Sequence, residues 1–184
     1  MRNSSERTIR SFDFTQAISD GARIRPRPVY ADPDCRIDFM KGITSIGHVA
    51  LKVKDIDKSL AFYVEKMGFS EMFRLNHDDG RVWLVYLRIT DDQYLELFPD
   101  AVQDSAPGPE TNGINHFCLA VEDIENIIRQ LGEKNVTLHH PLKTGADNNR
   151  QAWVRDPDGN RIEFMEMRPE ALQLKAIKQL SLRP

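Results

Sequence analysis

Cysteine is scarce in this sequence, with Cys35 and Cys118 the only two in 184 residues. Neither has a short-spaced partner, which excludes a disulfide framework and a zinc–thiolate site and leaves two reduced thiols as the expectation. Charge of one sign is lacking as well: 25 Lys and Arg stand against 28 Asp and Glu, a formal net charge of −3. That balance carries no electrostatic footprint for nucleic acid. Long apolar runs are missing too, since nothing approaches the roughly 18 consecutive apolar residues of a membrane span. Arg2, Arg7 and Arg10 have no apolar stretch behind them, so a secretory signal is not expected. The Ser- and Arg-rich first ten residues share their composition with transit peptides, but a cytoplasmic protein is the simpler reading.

What is present suits one soluble domain: 40% of residues are hydrophobic, enough for a core at this length. The chain also repeats itself. Ile46-Gly-His48-Val-Ala-Leu51-Lys-Val53-Lys-Asp55-Ile56 aligns with Ile114-Asn-His116-Phe-Cys-Leu119-Ala-Val121-Glu-Asp123-Ile124 at an offset of 68, with six identities in eleven positions. Tyr94-Leu95-Glu96-Leu97-Phe98 then aligns with Arg161-Ile162-Glu163-Phe164-Met165 at an offset of 67. Such spacing marks a duplicated supersecondary unit.

Each copy reads as βαβββ. Alternating Val, Leu and Ile predict a strand over 46–53, and Asp55 caps a helix whose apolar residues Ile56, Leu60, Tyr63 and Met67 run to Gly68. Strands are expected over 69–75, 82–89 and 93–98, separated by the Asp79-Gly80 and Asp91-Asp92 turns. The second copy predicts a strand over 114–121 and a helix over 123–132, capped by Asp123 and closed by Gly132. Strands near 136–139, over 150–155 and over 161–166 follow, the last after an Asp156-Pro-Asp-Gly159 turn. The fold class is therefore α+β: two βαβββ modules, 43–100 and 113–168, within a domain spanning 43–168. An N-terminal extension of 1–42, rich in Pro, is expected to form an arm. A C-terminal helix is expected within 169–184, with Leu172, Ala176 and Leu180 on one face.

The duplication singles out four side chains. His48 and His116 hold the same place in the first strand of each module, and Glu96 and Glu163 the same place in the last. Packing of the modules about a pseudo-twofold axis would let all four meet. Two imidazoles and two carboxylates suit a divalent ion such as Ni, Zn, Mn, Co or Fe. Alternation along the strand supports this, because His48 shares its face with Ala50 and Lys52 while Val49, Leu51 and Val53 point the other way. Glu96 and Glu163 each interrupt an apolar run, where an unpartnered carboxylate is costly and a metal removes the cost. His77, His139 and His140 have no repeat partners and read as surface residues.

With those residues in place, 44–168 resembles the vicinal oxygen chelate superfamily, glyoxalase I (lactoylglutathione lyase) in particular. The resemblance rests on Asp55-Ile-Asp-Lys-Ser-Leu-Ala-Phe-Tyr63, Met67-Gly68-Phe69, Asp156-Pro-Asp-Gly-Asn-Arg-Ile-Glu163 and the His/Glu/His/Glu set. It implies an incomplete barrel around a metal cleft, a homodimer that often shares modules between subunits, and a small-molecule substrate chelated through two adjacent oxygens. For a 2-oxoaldehyde hemithioacetal, a Lewis-acid metal would stabilise the enediolate on the way to a 2-hydroxyacyl thioester. By resemblance Glu163 is the catalytic base and Glu96 its counterpart, although the symmetry alone does not choose between them.

The sequence departs from glyoxalase I where that enzyme grips glutathione. Lys52, Asp100 and Asn112 stand where the family carries Arg, Asn and Arg. Lys52 keeps the charge without the bidentate fork, and Asp100 would repel a carboxylate. Lys143 and Arg150 are the further cations expected to bind substrate. The alternatives within the same superfamily are an Fe(II) extradiol dioxygenase using His48, His116 and Glu163, and an epimerase acting beside a carbonyl. Residues 114–168 lack the tyrosine such dioxygenases carry. A non-catalytic binding or resistance protein is the alternative from outside enzymology.

Overall fold

The computed structural model describes residues 45–181. The arm expected over 1–42 and the last three residues lie outside the described residues. Within them the chain folds into strand β1 (His48–Lys52), helix α1 (Ile56–Leu60) running on as a π-helical segment (Ala61–Lys66), β2 (Ser70–Asn76), β3 (Val82–Arg88) and β4 (Tyr94–Phe98). The second module follows as β5 (Phe117–Val121), α2 (Ile124–Glu133), β6 (His140–Thr144), β7 (Arg150–Arg155) and β8 (Arg161–Glu166). Helix α3 (Leu172–Ser181) closes the described chain.

The two modules form matching four-stranded sheets, ordered β1-β4-β3-β2 and β5-β8-β7-β6. The first and last strands of each module pair in parallel, and the remaining pairs are antiparallel. A helix separates the first strand from the second in each copy. The Asp55 carboxylate accepts from the backbone N–H groups of Asp57 and Lys58, and Asp123 accepts from that of Asn126, so both helices begin at the expected caps.

Two boundaries differ from the sequence reading. Helix α2 passes through Gly132, and the left-handed residue that ends it is Asn135 at φ 54°. The Val136 N–H then returns to Leu131 O at 2.8 Å, closing the last turn in the manner of a Schellman motif. The sixth strand lies at His140–Thr144 instead of near 136–139, because Val136 is used to seal the helix end and is buried in the core. Pro141 is tolerated there: β6 is an edge strand, and the register slips between His140 and Lys143.

One face of each sheet carries the core. Val53, Leu87, Leu95 and Leu97 of the first module and Val154 and Ile162 of the second are fully buried, together with Tyr63 and Ile124 from the helices. These residues form one continuous apolar cluster. Polar contacts tie the modules across it. The Tyr63 hydroxyl donates to Asp156 Oδ2 at 2.8 Å, and the Lys54 backbone N–H donates to Asp158 Oδ1 at 3.1 Å. Desolvation pushes both the Tyr63 phenol and the Asp156 carboxyl above their ordinary ranges. The Asp156-Pro-Asp-Gly turn that carries these acceptors is completed by Gly159 at φ 86°, a left-handed position that favours glycine.

Candidate metal centre

The face of each sheet opposite the core carries the residues singled out by the repeat. In β1 the burial alternates, with Val49 and Leu51 half-buried and His48, Ala50 and Lys52 exposed. Register then sets Ala50 against Glu96 in the first sheet and Cys118 against Glu163 in the second. Side chains paired across strands share a face, so a small residue lies beside each glutamate and leaves it room. His48 Nε2 lies 3.3 Å from Glu96 Oε2, and His116 Nε2 lies 3.1 Å from Glu163 Oε2. The two glutamates are 7% and 6% exposed, while both imidazoles remain accessible.

The four side chains thus occur as two equivalent pairs. They do not all meet within one chain: among the described residues, no three His, Cys, Asp or Glu side chains converge closely enough to hold one ion. This corrects the expectation that packing of the modules brings the set together.

Local chemistry makes each pair fit for a divalent ion. His116 Nδ1 lies 3.0 Å from Asn115 Oδ1. An amide oxygen only accepts, so Nδ1 carries the proton and Nε2 is directed at Glu163 as a potential ligand. Such an orienting partner is the usual companion of a metal-binding imidazole. An imidazole lone pair and a carboxylate oxygen 3.1 Å apart are mutually repulsive unless a proton or a cation lies between them. The donor set of nitrogen and carboxylate oxygen suits Zn, Ni, Co, Mn or Fe alike.

Neighbours that the sequence reading passed over complete each half-site. Tyr86 is the register partner of Glu96, and Trp153 that of Glu163. Their rings stand edge-on to the imidazoles, Tyr86 at 6.3 Å and 71° from His48 and Trp153 at 4.7 Å and 67° from His116. The two aromatics are related by the same offset of 67 as the glutamates, a signal available from the sequence once the repeat is extended inward. The Tyr86 phenol is raised above its ordinary value, first by hydrogen bonding to the Glu96 carboxylate and then by desolvation. The Cys118 thiol is pushed up to about 12, first by desolvation and then by the Glu163 charge, although the residue is open to solvent.

The three cations expected to bind substrate fare differently. Lys52 shares the His48 face and lines a cavity of about 370 Å³ that also touches Asn115, His116 and Arg161. Lys143 pairs in register with Gln151 and so shares the Glu163 face. Arg150 does not. Its register partner is Glu166 on the core side of β8, and its guanidinium is ion-paired to Glu125 and, at 3.3 Å, to Glu166. Strand parity turns it away from Glu163, and a structural pair with α2 replaces the substrate role. His140, read as a surface residue without a repeat partner, is the register partner of Trp153 and therefore stands on the same face as Glu163.

Duplicated βαβββ modules, each presenting an imidazole beside a buried carboxylate, define the class of fold that this chain adopts. The chain belongs to the Glyoxalase/Bleomycin resistance protein/Dioxygenase superfamily, whose model matches residues 45–164. It is 31% identical over 125 residues to a probable lactoylglutathione lyase of Synechocystis sp., covering 65% of this chain and 92% of that protein. Among solved structures, a glyoxalase family protein from Enterococcus faecalis is 29% identical with a TM-score of 0.59, covering 66% of this chain and 97% of that one. TnmS3, an antibiotic binding protein from Streptomyces sp., is 25% identical with a TM-score of 0.53, covering 69% and 98%. No helix among the described residues is long and apolar enough to cross a membrane.

Proposed function

We propose that this protein is a divalent-metal-dependent lyase or isomerase of glyoxalase I type. In this reading His48 and Glu96 of one copy and His116 and Glu163 of a second copy enclose one ion, so a homodimer carries two sites. The observation that carries it is the duplicated imidazole–carboxylate pair, 3.3 and 3.1 Å apart, with each carboxylate less than a tenth exposed. Separation of the two pairs within one chain favours completion of each site by a second copy.

A divalent ion held there supplies Lewis-acid polarisation of two adjacent substrate oxygens. The chain's own residues supply the rest. Glu163 removes the proton from the carbon bearing the substrate hydroxyl and returns it to the neighbouring carbon, while the hydroxyl proton passes to the neighbouring oxygen, so the first carbon is oxidised and the second reduced with no external redox partner. Glu96 is the better anchor of the two glutamates, because beyond its imidazole partner it engages the Tyr86 hydroxyl, whereas Glu163 beyond His116 engages the weaker Cys118 thiol. Asn115 fixes the His116 tautomer. Trp153 and Tyr86 shield the pairs from solvent on one side.

Metal analysis with turnover tests this reading. The purified protein is expected to hold one divalent ion per chain and to convert the hemithioacetal of methylglyoxal or of a related 2-oxoaldehyde under Ni or Zn. Glu163→Gln should lower kcat by roughly 10²–10⁴-fold, the contribution of a positioned proton-transfer group. Full turnover by that variant refutes the role of Glu163. Absence of stoichiometric metal leaves a binding protein in place of an enzyme.

A further inference from the structure

The repeat that preserves the His–Glu pairs has diverged around them, and this divergence bears on what the site binds. Four positions on the faces of Glu96 and Glu163 are related by the offset of 67. In the first module they are Phe73, Tyr86, Arg88 and Tyr94; in the second, His140, Trp153, Arg155 and Arg161, and Lys143 shares the second face. Register confirms the correspondence, since Phe73 pairs with Tyr86 as His140 pairs with Trp153, and Arg88 with Tyr94 as Arg155 with Arg161.

The first face is aromatic and apolar. Phe73 stacks on Tyr86 with ring centroids 4.7 Å apart yet is 45% exposed, and Leu75 beside it is 42% exposed. Of its cations, Arg88 is neutralised by Asp91 at 2.6 Å, and Lys52 stands on β1, at the opposite edge of the sheet from Phe73. The second face is cationic. Arg155 is hydrogen-bonded to the His139 imidazole, at 3.0 Å, and Arg161 donates to the Asn115 carbonyl oxygen at 2.8 Å. Neither of these, nor Lys143, has a carboxylate ion-pair partner among the described residues. Stacked exposed rings on one sheet face and unneutralised guanidinium groups on the other are complementary to the two ends of a single ligand.

We propose that the substrate is a small oxyanion carrying a ring or comparable apolar group, its anionic end held by Arg155, Arg161 and Lys143 and its apolar end by Phe73, Leu75 and Tyr86. This rests on the reading that the two half-sites face each other in the assembled protein. Carboxylate and phosphate share the chemistry that the guanidinium groups recognise, so both are tested.

The test uses the full chain with Trp83→Phe, which leaves Trp153 as the fluorophore within the cationic face. Phenylacetate and phenyl phosphate are titrated beside acetate, inorganic phosphate and benzyl alcohol, and bound metal is assayed in the same preparations. At least one ring-bearing anion should quench Trp153 saturably and bind about tenfold more tightly than either its anion-only or its ring-only fragment. Arg155→Gln should weaken that anion about tenfold and leave benzyl alcohol unchanged. Phe73→Ala should reduce it to the affinity of the anion alone. Equal binding of ring-bearing and ring-free anions overturns the proposal, as does equal binding of benzyl alcohol or no saturable binding. Each of those results with stoichiometric metal overturns it alone, whereas ring-plus-anion selectivity without metal upholds it and removes the lyase reading.

Discussion

His116 is held from both sides: Asn115 Oδ1 lies 3.0 Å from one ring nitrogen and Glu163 Oε2 lies 3.1 Å from the other. An imidazole so constrained has its tautomer and its orientation chosen before any ligand arrives. Asn115 is itself exposed, so its removal disturbs little packing. Asn115→Ala is therefore expected to leave the unfolding free energy from a urea titration within about 0.5 kcal/mol of the parent while weakening divalent-ion affinity by about 10–100-fold. A metal titration followed by calorimetry checks this, and unchanged affinity would show that Glu163 and the strand alone orient the ring. The residue that precedes His48 is Gly47, which has no side-chain amide to play the part of Asn115.

At the scale of elements, α3 is docked on the second module through the β6–β7 turn. The Asp147 carboxylate accepts from Gln173 Nε2 at 2.9 Å and from Asn149 Nδ2 at 2.8 Å, and Asp147 O accepts from the Leu172 N–H. Desolvation raises the Asp147 carboxyl, but these hydrogen bonds outweigh it and hold the group below the ordinary carboxylate value. The stability this linkage contributes is present above the unfolded value of 3.8 and is lost as the pH falls through the lower folded value. The protection factors of the α3 amides, taken against the intrinsic rate at each pH, should stay flat from neutrality down to about pH 4 and fall only below it. A loss of protection already between pH 5 and 7 would place the anchor on another group. Most elements were legible because the period of the apolar residues changes cleanly between strand and helix, with Asp55 and Asp123 marking the switch. The end of α2 and the start of β6 were not, since Val-Thr-Leu after Asn135 has the composition of a strand but is spent on closing a helix and filling the core. Tertiary burial overrides local propensity there.

For the whole molecule, the duplication explains what could be read and what could not. Homologous positions in two modules single out His48, Glu96, His116 and Glu163, the ligands proposed above, without any coordinates, because the four recur in matched places within unmatched surroundings. Strand parity further sorts Lys52 and Lys143 onto the open faces. The same parity rule would have rejected Arg150, which stands three residues before Trp153, had β7 been phased against Glu163. How two modules pack is a different matter, since neither internal repeat nor periodicity records the angle between sheets. The structure joins them through the apolar cluster and the Tyr63–Asp156 contact, and the two imidazole–carboxylate pairs stay apart in one chain. Completion by a second copy is the central claim, and mixing of half-site variants tests it most directly. His48→Ala/Glu96→Ala and His116→Ala/Glu163→Ala chains are each expected to lose bound divalent metal. Unfolded and refolded together, they should form mixed dimers with one intact site, and about half of the dimers should then hold one ion, the fraction expected for random pairing. Metal content that stays at the level of the separate variants, with mixed dimers shown to be present, would contradict a site shared between copies.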